Sequence, residues 1–545
     1  MSTSTITTPV LIVGAGPVGL TLALDLAQRG ISSVLVEKRV DVGQFPKMER
    51  VNPRTMEHFR RLGIVEKVRA AGLPQHLPMN VFVTDTLFSE PLVDIPQGSV
   101  ASLKQRTAAT NDGSMPVEPY QVISQYTIEP LLRAEVESAD AVTALFGAEL
   151  LSFTQDDSHV EAQIRMPDGS DATVSADYMV GADGASSLVR KALGAKLTGR
   201  SQLLDLHQGL IRADDLYEQL PHKGRHYHFL DGHSSFLIVQ DSTRHFTLHT
   251  MLESPDEMGE RFEAIVGRPI DYEVIFSAPW TMRGMVADSY GSGRVWLAGD
   301  SAHLMPPTAG LGMNTGVGEA IDLAWKLQGV LEGWGGPALL PSYDSERRPI
   351  AAINVDYSVT RFEARESWRR EVDPATAQDP AVRADLAALI DSLEAKAGYM
   401  EGVEMGYRYS DSPILPGSHP DEADAASGVD RRYRPGMRIG VRLPHVWLEA
   451  GAVAVQDVLP LNAFSLLCLR EAADVADAFR AAFAEAGVPL HVEQIDSDAA
   501  REVYGASFVL VRPDLHIAWF GEALDAEPAS LLRSITGHDL TASRD

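Results

Sequence analysis

Near the start of the chain the apolar run PVLIV is followed by GAGPVG, then by TLALDLAQRG with Leu20, Leu22, Leu26 and Ala27 at helical spacing, then by a second apolar run, SVLVEK. A strand, a glycine turn, a helix and a second strand in about thirty residues make one parallel strand-helix-strand unit, and that commits the chain to an α/β fold with a Rossmann-like sheet. Each glycine has a mechanical task. Gly14 makes the tight turn, Gly16 lets the backbone approach a pyrophosphate, and Gly19 lets the helix lie close on the strand. Glu37 ends the second strand 18 residues after Gly19, where a carboxylate accepts hydrogen bonds from ribose hydroxyls, and Lys38 follows it at the same strand end. The unit points to an adenosine pyrophosphate but does not separate NAD from FAD.

A chain of 545 residues is expected to hold two to four domains of about 150 residues. Forty-seven basic against 75 acidic residues give a formal net charge of −28, a field that repels phosphate backbones and anionic lipid, so neither nucleic acid nor a membrane surface is an expected partner. Cys468 is the single cysteine, which leaves no internal disulfide, cysteine zinc cluster or CxxC pair and suits a reducing cytoplasm. Residues 2–24 are uncharged, but no basic segment precedes them and Pro9, Gly14, Gly16, Pro17 and Gly19 would break a spanning helix, so neither a signal peptide nor a membrane helix is expected there.

Further along, the regular pattern fades from 81 to 116, an excursion out of the first unit, and helical spacing resumes near Tyr126. VEAQIRM and the turn PDGS predict a hairpin, and ADYMVGADGASSLVRKALG another strand, turn and helix. Residues 204–285 alternate as an antiparallel sheet, with HYHFLD and SSFLIVQD joined through Gly232. His226, His228, His233, His245 and His249 crowd there; no ligand spacing supports a metal, so they read as polar positions lining a substrate cavity, with ligation the alternative. In residues 293–327 an apolar strand ends at Gly299 and Asp300, a Pro/Gly loop follows, and a helix is predicted from near Thr315. Its N-terminus presents free N–H groups and a positive dipole end, which suits a group that becomes anionic. Residues 371–435 turn acidic and read as a helix over 382–397 plus linker, including SHPDEADAASG. From Gly436 the runs FSLLCL, ADVADAFRAAFAEAG, LHVEQI, SFVLVRP and HIAWF predict a small α/β layer domain.

Three separated motifs together resemble one family, the single-component class A FAD-dependent aromatic hydroxylases, in the branch that acts on phenols and polyketides. GAGPVG with Glu37 is similar to that family's ADP-binding fingerprint, GADGASSLVR at 181–190 to its DG motif, and LAGDSAHLMPPTAGLGMNTG at 297–316 to its GD motif. VLVRPDLHIAWFG at 509–521 resembles the branch's thioredoxin-like C-terminal domain, here without CxxC and so structural or oligomeric rather than redox. The resemblance implies a discontinuous glutathione-reductase-type FAD domain (1–80, 117–190, 286–370), an interleaved substrate-binding sheet domain (81–116, 191–285), a helix and linker (371–435) and a thioredoxin-like domain (436–545), in a cytoplasmic homodimer. It implies roles too. Glu37 would bind the adenosine ribose, Arg54 and Gln125 the pyrophosphate and ribityl region, Asp183 would aid flavin placement and NAD(P)H use, and Asp300 would hold a ribityl hydroxyl. Pro307 and the loop to Gly310 and Gly312 would border the flavin C4a position, with Gly312, Met313 and Asn314 offering backbone contacts to the pyrimidine. Lys47 stands where many relatives carry arginine, and Glu319 and Asp322 where they commonly show Asp and Asn.

The chemistry so implied is reduction of FAD by NADH or NADPH, addition of O2 to give a C4a-hydroperoxyflavin, and attack on an electron-rich phenolic ring. The protein must exclude water, place the ring and take the phenol proton. Glu49, five residues before Arg54, is the first candidate base, its alternative being a pair with Arg50 or Lys47; His228 and Tyr227 are second candidates, and as strand neighbours at most one faces the pocket. An epoxidase or a Baeyer–Villiger type polyketide oxygenase is the alternative on the same frame. A halogenase would carry WxWxIP, and PWTMRG at 279–284 is the nearest tryptophan context. A flavin-binding protein without turnover would have no use for the Pro/Gly loop.

Overall fold

In the computed structural model, residues 5–43, 49–371, 379–397, 400–420, 432–471, 473–524 and 527–539 are described. Lys47, and most of the stretch SHPDEADAASG, lie outside them.

Five parallel strands form the spine of the first sheet, in the order Val295–Leu297, Asp171–Gly181, Thr5–Val13, Ser33–Glu37, Val142–Phe146. The carboxyl half of the central strand, Val10–Val13, is apolar and buried in the main core. Register is decisive for function. Val13 pairs with Gly181 and with Val36, and Gly181 pairs with Leu297, so the three strand ends that open the sequence motifs stand level at the carboxyl edge. The hairpin from Glu149–Gln155 to Val160–Arg165 leads into Asp171–Gly181 through the PDGS turn.

A second eight-stranded sheet is built around Leu197–Arg212, flanked by Glu273–Ala287 and His245–Thr250, and continues through Phe236–Val239 and His226–Phe229. Where the sequence pattern fades, Val81–Thr84 adds to this sheet parallel to His226–Phe229, Val93–Ile95 forms its edge, and the helix Val100–Ala109 follows. A thirty-residue helix, Ser342–Glu371, packs on the cleft-lining face of the sheet, where Phe362 and Arg369 stand with His228 and Phe236.

The C-terminal unit is a four-stranded mixed sheet ordered Leu490–Gln494, Phe464–Cys468, Phe508–Val511, Ile517–Gly521. Strand alternation divides its core. Phe464, Leu466 and Cys468 pack under Ala473–Glu485 and Pro528–Ile535, while Leu467, Val509 and Val511 face Asp498–Tyr504. The first of these cores is shared with the helix Gly312–Leu331 through Trp325, whose indole meets the Phe464 ring edge-on at 5.8 Å. Among the described residues no helix is long and apolar enough to cross a membrane.

Candidate active site

A cleft of about 1490 Å³ opens along the carboxyl edge of the first sheet and runs onto the face of the second. At one end stand Gly14, Gly16, Glu37 and Lys38; in the middle Asp183, Asp300 and the 304–313 loop; at the other end the side chains of the second sheet. This is where an open parallel sheet binds its ligand.

The glycine turn is built as the motif requires. Gly14 has φ +107° and sits so near the second motif that a Cβ would lie 2.3 Å from the Ala182 carbonyl oxygen. A Cβ on Gly19 would lie 2.0 Å from the Gly14 carbonyl oxygen, so the helix Pro17–Gln28 reaches the strand only through glycine. At Gly16, by contrast, a Cβ meets nothing within 4 Å. No side chain caps this helix, so its first N–H groups and dipole end face the cleft. Glu37 accepts from the Ala15 and Arg39 N–H groups, each at 2.9 Å, which fixes its carboxylate at the turn.

Asp183 accepts from Ser187 Oγ and from the N–H groups of Leu188 (2.7 Å) and Val189 (3.2 Å), and so starts the short helix Leu188–Ala192 beside the cleft. Asp300 is exposed in the cleft wall, on the turn Gly299–Ser301. That turn is clamped from below. Glu319, fully buried, accepts from Gly299 N–H at 2.8 Å and lies 3.2 Å from His303 Nε2. The glutamate at this departure from the family pattern thus holds the Asp300 turn in place.

The Pro/Gly loop meets its helix earlier than the sequence reading expected. Gly312–Leu331 begins three residues before Thr315, because Thr315 N–H already closes a turn on the Leu311 carbonyl at 2.8 Å. Pro307, Thr308, Gly310, Gly312 and Met313 border the cleft, and Thr308 Oγ1 donates to the Ser358 carbonyl at 2.7 Å. Asn314 turns away from the cleft lining. Its Nδ2 donates to the carbonyls of Arg50 and Gly310 and its Oδ1 accepts from Asn52 N–H, so its side chain ties the loop to the 50–52 segment.

Two sequence expectations are corrected by position. Arg54 does not line the cleft: its guanidinium donates to Glu57 at 3.2 Å and to the Asp514 carbonyl at 2.8 Å, because the helix Pro53–Arg61 turns that side chain toward the C-terminal unit. Tyr227 is likewise on the wrong face of its strand. It is 1% exposed, packs on Phe82, donates to the His222 carbonyl and accepts from Gly224 N–H. Gln125 does line the cleft, donating to Glu129 at 2.9 Å.

The far end of the cleft is aromatic. Phe236 stacks on His249 at 4.4 Å and 8°, Trp280 meets His249 edge-on at 5.8 Å, and His228 lies 5.9 Å from Phe236. The rings share one face because His228 is the direct cross-strand partner of Phe236 and Phe236 that of His249, and directly opposed residues point to the same side of a sheet. Burial holds His228 neutral, with Arg365 and Arg369 reinforcing it, and brings His249 down to about 4 against the opposing charge of Glu49. Arg369 donates to His228 Nδ1 at 3.2 Å and to Glu366 at 2.7 Å. Glu49 stands in the cleft lining between the aromatic wall and the motif turns. Its partners are Arg225 (2.6 Å) and His226 Nε2 (3.1 and 3.2 Å), while Arg50 pairs with Glu404 instead. Burial would raise the Glu49 carboxyl, but Arg225 and His226 outweigh it and hold the group far below the usual carboxylate range. His226, not among the candidate bases, shares its face with His228; the strand period carried that signal. Among the described residues no group of three or more His, Cys, Asp or Glu could hold a metal ion.

Known proteins share this plan. Residues 7–358 match the family described as FAD binding domain, and residues 437–538 the one described as aromatic-ring hydroxylase, C-terminal. The FAD-dependent monooxygenase apdD of Emericella nidulans is 32% identical over 95% of this chain and 88% of its own. The tetracenomycin A2 monooxygenase-dioxygenase of Streptomyces glaucescens is 32% identical over 97% of this chain and 96% of its own. Among solved structures, the rebeccamycin biosynthetic enzyme RebC with reduced flavin superposes with a TM-score of 0.88 at 32% identity, covering 98% of this chain and all of that one.

Proposed function

The chain belongs to the class A FAD-dependent aromatic hydroxylases, and from that premise we propose that it uses NADH or NADPH and O2 to hydroxylate a polycyclic phenol. The single observation that carries this reading is the continuity of the cleft: the three level motif turns, the Pro/Gly loop and the aromatic wall line one space. Pockets for a drug-sized ligand hold about 300–1000 Å³. At about 1490 Å³ this one has room for a dinucleotide and a fused ring system side by side.

The residues present suit FAD. The uncapped helix at Gly16 would take the pyrophosphate, Glu37 the adenosine ribose, Asp300 a ribityl hydroxyl, and the start of Gly312–Leu331 the pyrimidine edge. Reduced and bound there, FAD would supply one oxygen atom of O2 to the ring. The chain's own tasks are to hold the ring against Phe236, His249 and Trp280, to keep water from the loop at Pro307, and to receive the substrate's proton.

The domain division given above is part of the proposal, supported by Val81–Thr84 pairing into the second sheet. So is a thioredoxin-like C-terminal domain, supported by its mixed four-stranded sheet with helices on both faces. The homodimer rests on the family resemblance alone. Purified protein should show an oxidised-flavin spectrum and oxidise NADH or NADPH faster with one member of a panel of simple and polycyclic phenols, giving a product heavier by one oxygen. Ring expansion or epoxidation would move the assignment to a Baeyer–Villiger or epoxidase reaction. A colourless protein that takes up no FAD would refute the reading.

A further inference from the structure

The hydroxylation proposed above needs an acceptor for the substrate's hydroxyl proton, and Glu49, the first candidate in the sequence, is already engaged on both oxygens. Its carboxylate accepts from Arg225 Nη2 and lies within 3.2 Å of His226 Nε2 through each oxygen. Nε2 also lies 3.1 Å from Arg225 Nη2, but that group's shorter contact, at 2.6 Å, is to Glu49, so the two carboxylate oxygens outweigh it and place the hydrogen on Nε2. Nδ1 is then the lone-pair nitrogen. Among the described residues it makes no hydrogen bond, and it is not sealed from the cleft that His226 lines. Arg225 stands outside the cleft lining and braces the carboxylate from behind.

We propose that His226 accepts the hydroxyl proton of the substrate through Nδ1, and that Glu49 and Arg225 are positioning residues that fix its tautomer and ring orientation. This rests on the hydroxylase reading. In the step, the phenolic O–H bond breaks, the proton forms a bond to Nδ1, the released electron pair enters the ring, and the ring carbon bonds to one oxygen atom derived from O2 as the O–O bond breaks, the other oxygen leaving to become water. Loss of the proton on that carbon restores aromaticity, and His226 returns its proton to solvent. O2 is the oxidant and the nicotinamide the reductant.

A neutral imidazole is sufficient here. Burial and Arg225 bring His226 down to about 4 against the pull of Glu49, so Nδ1 is unprotonated at neutral pH. The hydroxyl of a ring gaining a C–O bond is on its way to becoming a protonated carbonyl, a far stronger acid than a phenol, so a modest base can take its proton as the bond forms. The imidazolium produced then faces the Glu49 carboxylate, which stabilises it.

The test uses the FAD-loaded full chain. His226→Ala should keep its flavin content and visible spectrum but give at least about 100-fold less hydroxylated product per nicotinamide oxidised, with added imidazole restoring part of it. Glu49→Gln, whose amide can offer Nε2 either its oxygen or its NH2 and so no longer fixes the tautomer, should fall by about tenfold and gain nothing from imidazole. In parallel, 4-nitrocatechol, whose visible band reports its ionisation, should be bound with its hydroxyl ionised more readily by wild type than by His226→Ala. A wild-type chain that hydroxylates while His226→Ala matches it refutes this proposal alone. Loss of activity with no imidazole rescue and no change in the nitrocatechol band refutes it as well. A wild-type chain that loads FAD and hydroxylates nothing, and whose nitrocatechol band His226→Ala leaves unmoved, refutes both readings.

Discussion

Arg512 anchors the C-terminal unit to the helix that carries the Pro/Gly loop, and its removal should be felt at both ends. It is fully buried and donates to Asp514 (2.6 and 3.1 Å), Glu346 (2.7 and 3.0 Å) and Asp322 (3.0 Å). Lys326 bridges Asp322 and Glu346 at 2.8 and 2.7 Å, so two cations face three carboxylates with no water-exposed member. Arg512→Met leaves one cation for three. Removing one partner of a buried pair costs about 3–5 kcal/mol, because the carboxylates left behind stay out of water. Burial already raises Asp322 to about 6, against the pull of Lys326. A carboxyl with a raised value favours the folded state at low pH and ceases to as pH climbs through that value. The loss should therefore be full at pH 7 and clearly smaller at pH 5, where Asp322 takes a proton. The assay is urea unfolding at fixed FAD, read by tryptophan fluorescence, since Trp325 lies 4.7 Å under the guanidinium, and by flavin release. Adding Asp322→Asn and Glu346→Gln to Arg512→Met should recover part of the stability. A shift below about 1 kcal/mol, or one of equal size at the two pH values, would refute the reasoning.

Three further outcomes are expected. Gly19→Ala places a Cβ 2.0 Å from the Gly14 carbonyl oxygen, so it should lift the helix from the strand and abolish FAD uptake, measured as the flavin-to-protein absorbance ratio; a variant that purifies with full flavin would disprove the packing role. Glu57, despite burial, is brought down from 4.5 to about 2 by Arg442 and then Arg54, so its contribution, roughly 3 kcal/mol, should be present above pH 4.5 and lost as pH falls toward 2. Unfolding free energies at pH 7 and pH 3 should differ more for wild type than for Glu57→Gln, and equal differences would count against it. Tyr227→Phe removes the bonds to the His222 carbonyl and Gly224 N–H and should cost about 1 kcal/mol in denaturant while leaving the flavin spectrum unchanged, whereas a variant stripped of flavin would put Tyr227 back at the cleft.

The parts of this protein that were legible in its sequence are those whose physics is local. A turn that only glycine can make, a strand that alternates, and a helix start behind a Pro/Gly loop are each decided within about twenty residues, and the flavin half of the cleft is assembled from three such pieces. Their meeting was also foreseeable, since parallel strands in one sheet bring their carboxyl ends to one edge. The substrate half follows a different rule. Val81–Thr84 finds its place beside His226–Phe229, across about 145 residues of chain, and nothing in four residues reading VFVT specifies that partner. Charged side chains are the extreme case. Arg54 stands one residue into a helix, next to the motif region, and its partners Glu57 and Asp514 decide that it points backward; Glu49 is claimed by Arg225, 176 residues on. A guanidinium is satisfied by whichever carboxylate the topology brings within 3 Å, so its local sequence sets only where it starts. His226 lies between the two regimes. The period-two pattern places it on the same face as His228, and the pairing with Glu49 then selects which of its nitrogens faces the cleft. Chemistry in this fold thus falls where a locally specified strand meets a partner supplied from far along the chain.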